Sequence, residues 1–145
     1  MIKVVAIGKK TEYDNKIDDY AKRLINNFKT TICCIKHSTY SGNQARDFES
    51  NEIFKKIKPS DFVVLLDERG GQLTNIELCK KITNNSNVVF IVGGPYGVNE
   101  HLRKRANFML SLSKLVLPYE ISRLILIEQI YRTQEIFLNH PYHHE

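Results

Sequence analysis

The chain has 145 residues, 42% hydrophobic and 26% charged, with a formal charge of +5 from 21 Lys and Arg against 16 Asp and Glu. That length fits one domain over residues 1–145 with a real core, the composition excludes a disordered chain, and no run approaches the roughly 20 apolar residues of a membrane span. The basic balance suits a polyanion, and the first residues read as a strand rather than a secretory signal, so a cytoplasmic protein is expected.

Ile2–Ile7 reads as a buried strand. Tyr13, Ile17, Tyr20, Ala21, Leu24, Ile25 and Phe28 recur every three or four residues and predict one apolar helix stripe. Residues 31–35 form a second strand, which places the adjacent Cys33 and Cys34 where a mutual bridge is geometrically poor. With Cys79 left over and no C-x-x-C pair, the cysteines read as structural thiols in a reducing compartment. Residues 37–45 are polar and read as a loop, followed by a helix over 46–58 that Pro59 ends.

Residues 62–66 predict an apolar strand, after which Gly70 and Gly71 mark a sharp turn before a helix capped by Thr74 or Asn75. Val88–Val92 repeats the pattern and enters Gly93-Gly94-Pro95-Tyr96-Gly97, with Asn99 placed to cap a short basic helix. Residues 108–117 alternate as a strand does, apart from Met109. Pro118 opens a final helix over 119–138, and a short tail holds Pro141. Strands alternating with helices predict an α/β domain with a mostly parallel sheet flanked by helices. Ile121, Leu124, Ile125, Leu126, Ile127 and Ile130 make the last helix apolar over too wide an arc for one sheet face, so a second subunit is expected to cover part of it.

Glycine-rich loops after Leu66 and after Val92 stand at carboxyl ends of strands, where open parallel sheets bind ligands. Neither matches G-x-G-x-x-G, and no phosphate loop ends in G-K-[ST], which sets NAD and nucleoside triphosphates aside. The basic clusters Lys9-Lys10, Lys55-Lys56 with Lys58, and Arg103-Lys104-Arg105 are individually ordinary solvated faces and jointly favour RNA or ribosome contact. Three of the five histidines fall within residues 140–144. They can mark a solvated tail, a metal site, or a tail folded over an active site with Tyr142 and His143 available for stacking or proton transfer.

Three segments in order carry a resemblance: Val92-Gly93-Gly94-Pro95-Tyr96-Gly97, then Leu110-Ser111-Leu112-Ser113 with Leu117-Pro118, then Tyr131-Arg132 leading to Asn139-His140-Pro141-Tyr142-His143. Together they resemble the RlmH family of ribosomal RNA large-subunit pseudouridine N3-methyltransferases, of the knotted SPOUT class. The resemblance implies a carboxyl-terminal trefoil knot, S-adenosylmethionine as methyl donor without a metal, and a homodimer acting on 23S ribosomal RNA of the assembled ribosome. It implies neither DNA nor membrane as a partner. Leu66, Gly93, Leu112, Ser113, Lys114, Leu115, Val116 and Leu117 are then expected to bind the cofactor. Tyr142 and His143 would shape the nucleobase pocket, while Arg132 stabilises the developing anion or forms a plain helix-surface salt bridge. The chain departs from the family pattern at His144, where arginine is usual, and at Gly71, where lysine is frequent.

Overall fold

A computed structural model describes residues 1–144; Glu145, which closes the expected domain and tail, lies outside them. Five strands, β1 (Ile2–Ile7), β2 (Thr30–Ile35), β3 (Phe62–Gly71), β4 (Val88–Val92) and β5 (Phe108–Leu110), form one sheet in the order β2-β1-β4-β3-β5. Every pairing is parallel. Alternate side chains serve two cores, because successive residues of a strand point to opposite faces. Ile2, Val4, Ala6, Val64, Val88, Phe90 and Val92 pack under α1 (Asp14–Ala21), α3 (Asn75–Thr83) and α5 (Tyr119–Phe137). Val5, Ile7, Val63, Leu65, Val89 and Ile91 face α2 (Gly42–Phe54) and α4 (Glu100–Arg105). Burial on both faces explains why β4 reads as an unbroken apolar run and β1 as one interrupted only by Lys3. This is the expected α/β fold, and it is consistent with a carboxyl-terminal knot.

Two helix starts follow the sequence closely. The Thr74 hydroxyl accepts from the Glu77 N–H at 3.1 Å while the Glu77 carboxylate accepts from the Thr74 N–H at 2.8 Å, a complete capping box. Asn99 accepts from the Leu102 N–H at 3.0 Å and starts α4. Thr74→Ala is expected to lower stability by about 1 kcal/mol, read as a lower urea midpoint with an unchanged slope.

Elsewhere the expectations need correction. The stripe from Tyr13 to Phe28 is not one helix: α1 stops at Ala21, and a single 3-10 turn, Asn26–Phe28, follows. The buried Gln134 of α5 makes the break, donating to the Arg23 carbonyl at 2.9 Å and accepting from the Ile25 N–H at 2.8 Å. The helix expected over 46–58 begins earlier, at Gly42, and ends at Phe54, so the preceding loop is shorter. β3 does not turn away at Leu66 but continues to Gly71 through a bulge, with Leu66 and Gly71 both paired to Leu110. A Cβ on Gly70 would lie 2.5 Å from the Met109 carbonyl oxygen, so this glycine permits a close strand approach rather than a chain reversal. The strand expected over 108–117 spans only Phe108–Leu110, and its remainder is an irregular loop.

The wide apolar arc of α5 is satisfied in part within the chain, since the helix lies against both α1 and α3. Leu126, Ile127 and Ile130 are at most 1% exposed and belong to the internal core. Ile130 is therefore no part of a subunit face, whereas Ile121 and Ile125 are half-buried.

Candidate functional site

The sheet order reverses direction beside β1 and β4, and a crevice opens there at the carboxyl ends of the strands. A cleft of about 570 Å³ occupies the ends of β3, β4 and β5 and reaches the first turn of α5. Leu66, Gly93, Leu112, Ser113, Leu115, Val116 and Leu117 line it together with the rest of the glycine loop. Lys114, grouped with these residues from the sequence, is exposed and is absent from the lining. The loop over 111–118 holds its own shape: the Ser111 hydroxyl donates to the Ser113 carbonyl at 2.8 Å, and the Leu115 N–H donates to the Ser113 hydroxyl at 3.0 Å. Leu115 and Val116 are 74% and 79% exposed, an apolar lip at the cleft mouth.

The glycine loop is tightly built. Gly97 has φ +72, which a side chain rarely adopts, and its N–H donates to the Gly94 carbonyl at 3.0 Å. A Cβ on Gly94 would sit 2.9 Å from Ile7 Cγ2, and one on Gly93 would sit 3.3 Å from Val98 Cγ1. The space needed by these glycines is thus protein, so a larger residue at Gly93 would displace Val98 before it filled the cleft.

Sequence reasoning missed the charged rim. Asp67, on the bulge of β3, accepts from Arg69 at 3.2 Å and from Arg103 of α4. Burial alone would raise the Asp67 carboxyl, but the side-chain hydrogen bonds of Arg69 and Arg103 outweigh it and hold the group well below the usual carboxylate range. Asp67 is therefore charged throughout the neutral range, and it pins α4 to the cleft wall. The pair is not visible as a motif because its members stand 36 positions apart.

The tail folds back on its own helix. Asn139 takes φ 57 after α5, the His140 N–H donates to the Glu135 carbonyl at 2.9 Å, and the chain reverses. Tyr142 then packs edge-on against Tyr131, with centroids 4.8 Å apart, and donates to Glu128 at 3.1 Å. Glu128 also receives Arg132 at 2.7 Å, and Arg132 lies 4.9 Å from the Tyr142 ring centre and 3.2 Å from His143 Nδ1. Because a guanidinium only donates, that contact makes His143 Nδ1 an acceptor. Burial, with hydrogen bonds involving Tyr20 and Glu128, pushes the Tyr142 phenol far above its ordinary value, so it stays protonated. The structure thus brings Tyr142, His143 and Arg132 together and adds Glu128, an organiser the sequence reading overlooked. It does not bring them to the cleft of the same chain: Arg132 is ten residues beyond the cleft-lining Ser122, roughly 15 Å of helix rise.

Comparison with known proteins agrees with this architecture. The family model described as "Predicted SPOUT methyltransferase" matches residues 1–143. Proteins named ribosomal RNA large subunit methyltransferase H are similar over nearly the whole chain. That of Clostridium botulinum (strain Langeland) is 36% identical over 98% of this chain and 98% of its own length. That of Gloeobacter violaceus is 36% identical over 99% and 98%, and that of Pseudothermotoga lettingae 36% identical over 99% of each. With the parallel sheet and its carboxyl-end cleft already in place, these matches show that the chain belongs to the SPOUT methyltransferase family.

Proposed function

We propose that this chain is an S-adenosylmethionine-dependent methyltransferase of large-subunit ribosomal RNA, one domain per subunit, working as a homodimer on N3 of a pseudouridine in the assembled ribosome. The observation that carries the reading is the convergence of the glycine loop and the 111–118 loop on one cleft. The names of the relatives support RNA as the substrate. The residues present suit the cofactor: the volume falls in the range of small-molecule sites, Leu66, Leu112 and Leu117 offer apolar walls to an adenine ring, and adjacent loop backbone can meet its polar edge.

When bound, S-adenosylmethionine supplies a methyl group on a sulfonium, an electrophile that needs no further activation. The work of the protein is then alignment, plus provision for the N3 proton and the negative charge its loss creates. Arg132 suits that charge, since a fixed guanidinium in a dry site stabilises an oxyanion or imide anion strongly. Tyr142, held protonated, acts as a hydrogen-bond donor to the base rather than as its proton acceptor. The separation of these groups from the cleft of their own chain favours a partner subunit as their recipient. The half-buried stripe of Ile121 and Ile125, with Glu128 and Arg132 following at helical spacing, is the face suited to that contact.

Calorimetry with S-adenosylmethionine, followed by mass spectrometry of ribosomal RNA from a strain lacking the protein, tests the reading. Val116→Trp should leave the fold intact, because Val116 is 79% exposed, yet place an indole at the cleft mouth. Cofactor affinity is expected to fall by at least about tenfold, the equivalent of about 1.4 kcal/mol. Full affinity in this variant would remove the cofactor from the cleft, and tight binding without RNA methylation would identify an inert ribosome-binding module.

A further inference from the structure

We propose that Lys9 and Lys10, in the loop after β1, together with Lys36 at the end of β2, form a seat for backbone phosphates of the RNA substrate, braced from beneath by Arg123. The inference rests on the RNA reading above and specifies where the strand is held. Arg123 of α5 is 4% exposed, and its Nε is buried without a hydrogen-bond partner. Its Nη2 donates to the Lys9 carbonyl at 3.0 Å, its Nη1 lies 3.6 Å from Cys34 Sγ, and its guanidinium faces the Tyr119 ring at 5.5 Å. Among the described residues no carboxylate lies within 4.0 Å of it. A buried cation without a counter-ion is costly, and the cost falls when negative charge arrives from outside.

The groups above Arg123 are of the same sign. Lys9, Lys10 and Lys36 are exposed and, among the described residues, pair with no acid, while His37 sits beside them with Nε2 3.4 Å from the Tyr119 hydroxyl. Of the nearby acids, Glu12 is exposed, Asp14 accepts from the Thr11 N–H at 3.0 Å, the buried Glu49 accepts from the Ser38 N–H at 3.1 Å, and Glu120, one turn before Arg123, makes no ion pair with it among the described residues. In the other two basic clusters three of the six side chains are committed within the chain. Arg105 donates to the carbonyls of Lys58 and Asp61 at 3.0 Å, Arg103 holds Asp67, and Lys55 pairs with Glu52 at 2.8 Å. Among the described residues, the Lys9-Lys10 loop is therefore the cluster in which no basic side chain is held by a hydrogen bond or ion pair within the chain.

Its position suits a register function. Tyr119 lines the cleft, and a Cβ on Gly8 would lie 2.8 Å from Tyr119 Cε2, so the loop abuts the cleft wall across one ring. Gly8 has φ +121, which turns the two lysines outward at this point. Phosphate contacts fix the register of a nucleic acid without reading its sequence, which is what a site that must receive one base requires.

The test uses full-length protein and ribosomes from cells lacking it. Lys9→Ala/Lys10→Ala should raise KM for ribosomes about tenfold at physiological salt and flatten the plot of log(kcat/KM) against log[salt] by about 1.4 to 1.8, two lost phosphate contacts. Affinity for S-adenosylmethionine, read by calorimetry, should stay within about twofold. Arg123→Met should flatten the salt plot in the same direction, and Arg123→Lys should restore part of the slope. If the wild-type protein transfers no methyl group, the functional reading fails and takes the seat with it. If it does, an unchanged KM and salt slope in the double variant overturns the seat alone. A changed dimerisation constant with an unchanged slope also overturns it and assigns the patch to an interface between copies.

Discussion

Deleting residues 142–145 is expected to lower methyl transfer to ribosomes by at least about 100-fold while leaving S-adenosylmethionine affinity and the dimer nearly unchanged. The reason is spatial. The cleft is walled by the ends of β3, β4 and β5, the loop over 111–118 and the first turn of α5, while the tail is ordered on Arg132, ten residues further along that helix. The tail instead carries the donor hydroxyl of Tyr142 and the imidazole of His143, ordered on Glu128 and Arg132. Single variants divide the effect. Tyr142→Phe removes one donated hydrogen bond and keeps the edge-on packing against Tyr131, whereas His143→Ala releases Arg132 from one of its contacts. If His143 takes the N3 proton, its loss removes a limb of the pH–rate profile; if water takes it, the profile keeps its shape at a lower rate. A truncated enzyme with the wild-type rate would show that the tail lies outside the active site.

Ile125→Asp and Ile130→Asp are expected to fail in different ways, although both residues belong to the apolar arc of α5. Ile130 is fully buried among β-strand and helix side chains of its own chain, so an aspartate there buries an unpaired carboxylate. The expected cost is on the order of 4 kcal/mol or more, comparable with the whole stability of a small domain, and the variant should be recovered unfolded. Ile125 is half-buried on the stripe assigned to the partner, so Ile125→Asp should yield a folded monomer with native circular dichroism. That monomer should still bind S-adenosylmethionine and should lose methyl transfer, because in the proposed dimer tail and cleft come from different chains. Sedimentation of the wild type as a monomer at micromolar concentration, or an active Ile125→Asp monomer, would remove the composite site.

The parts of this protein legible in its sequence are those set by near neighbours. β1 and β4 are apolar runs buried on both faces, and Thr74 and Asn99 cap the helices that directly follow them. The cleft was legible through the glycine loop and the ordered segments that resemble a known family, since seven of the eight residues named for it do meet there. Lys114 does not, because its side chain leaves the loop away from the cleft that Leu115 and Val116 border, and sequence adjacency says nothing of which way a side chain faces.

What tertiary structure alone decided came from contacts distant in the chain. Gln134, 109 positions from Ile25, ends the first helical stripe by taking its backbone bonds, against a periodicity that would have continued. The alternation of residues 108–117 suited a strand, yet pairing stops at Leu110 where Ser111 and Ser113 close the loop on themselves. The same holds for charge. Arg103, Arg105 and Lys9-Lys10 look alike as basic residues, and only the fold shows that the first two are bound to Asp67 and to backbone carbonyls while the last lies over Arg123, which among the described residues has no carboxylate partner. Local periodicity reports which face a residue would prefer, but the partner that satisfies or leaves open each polar group is chosen when remote segments meet.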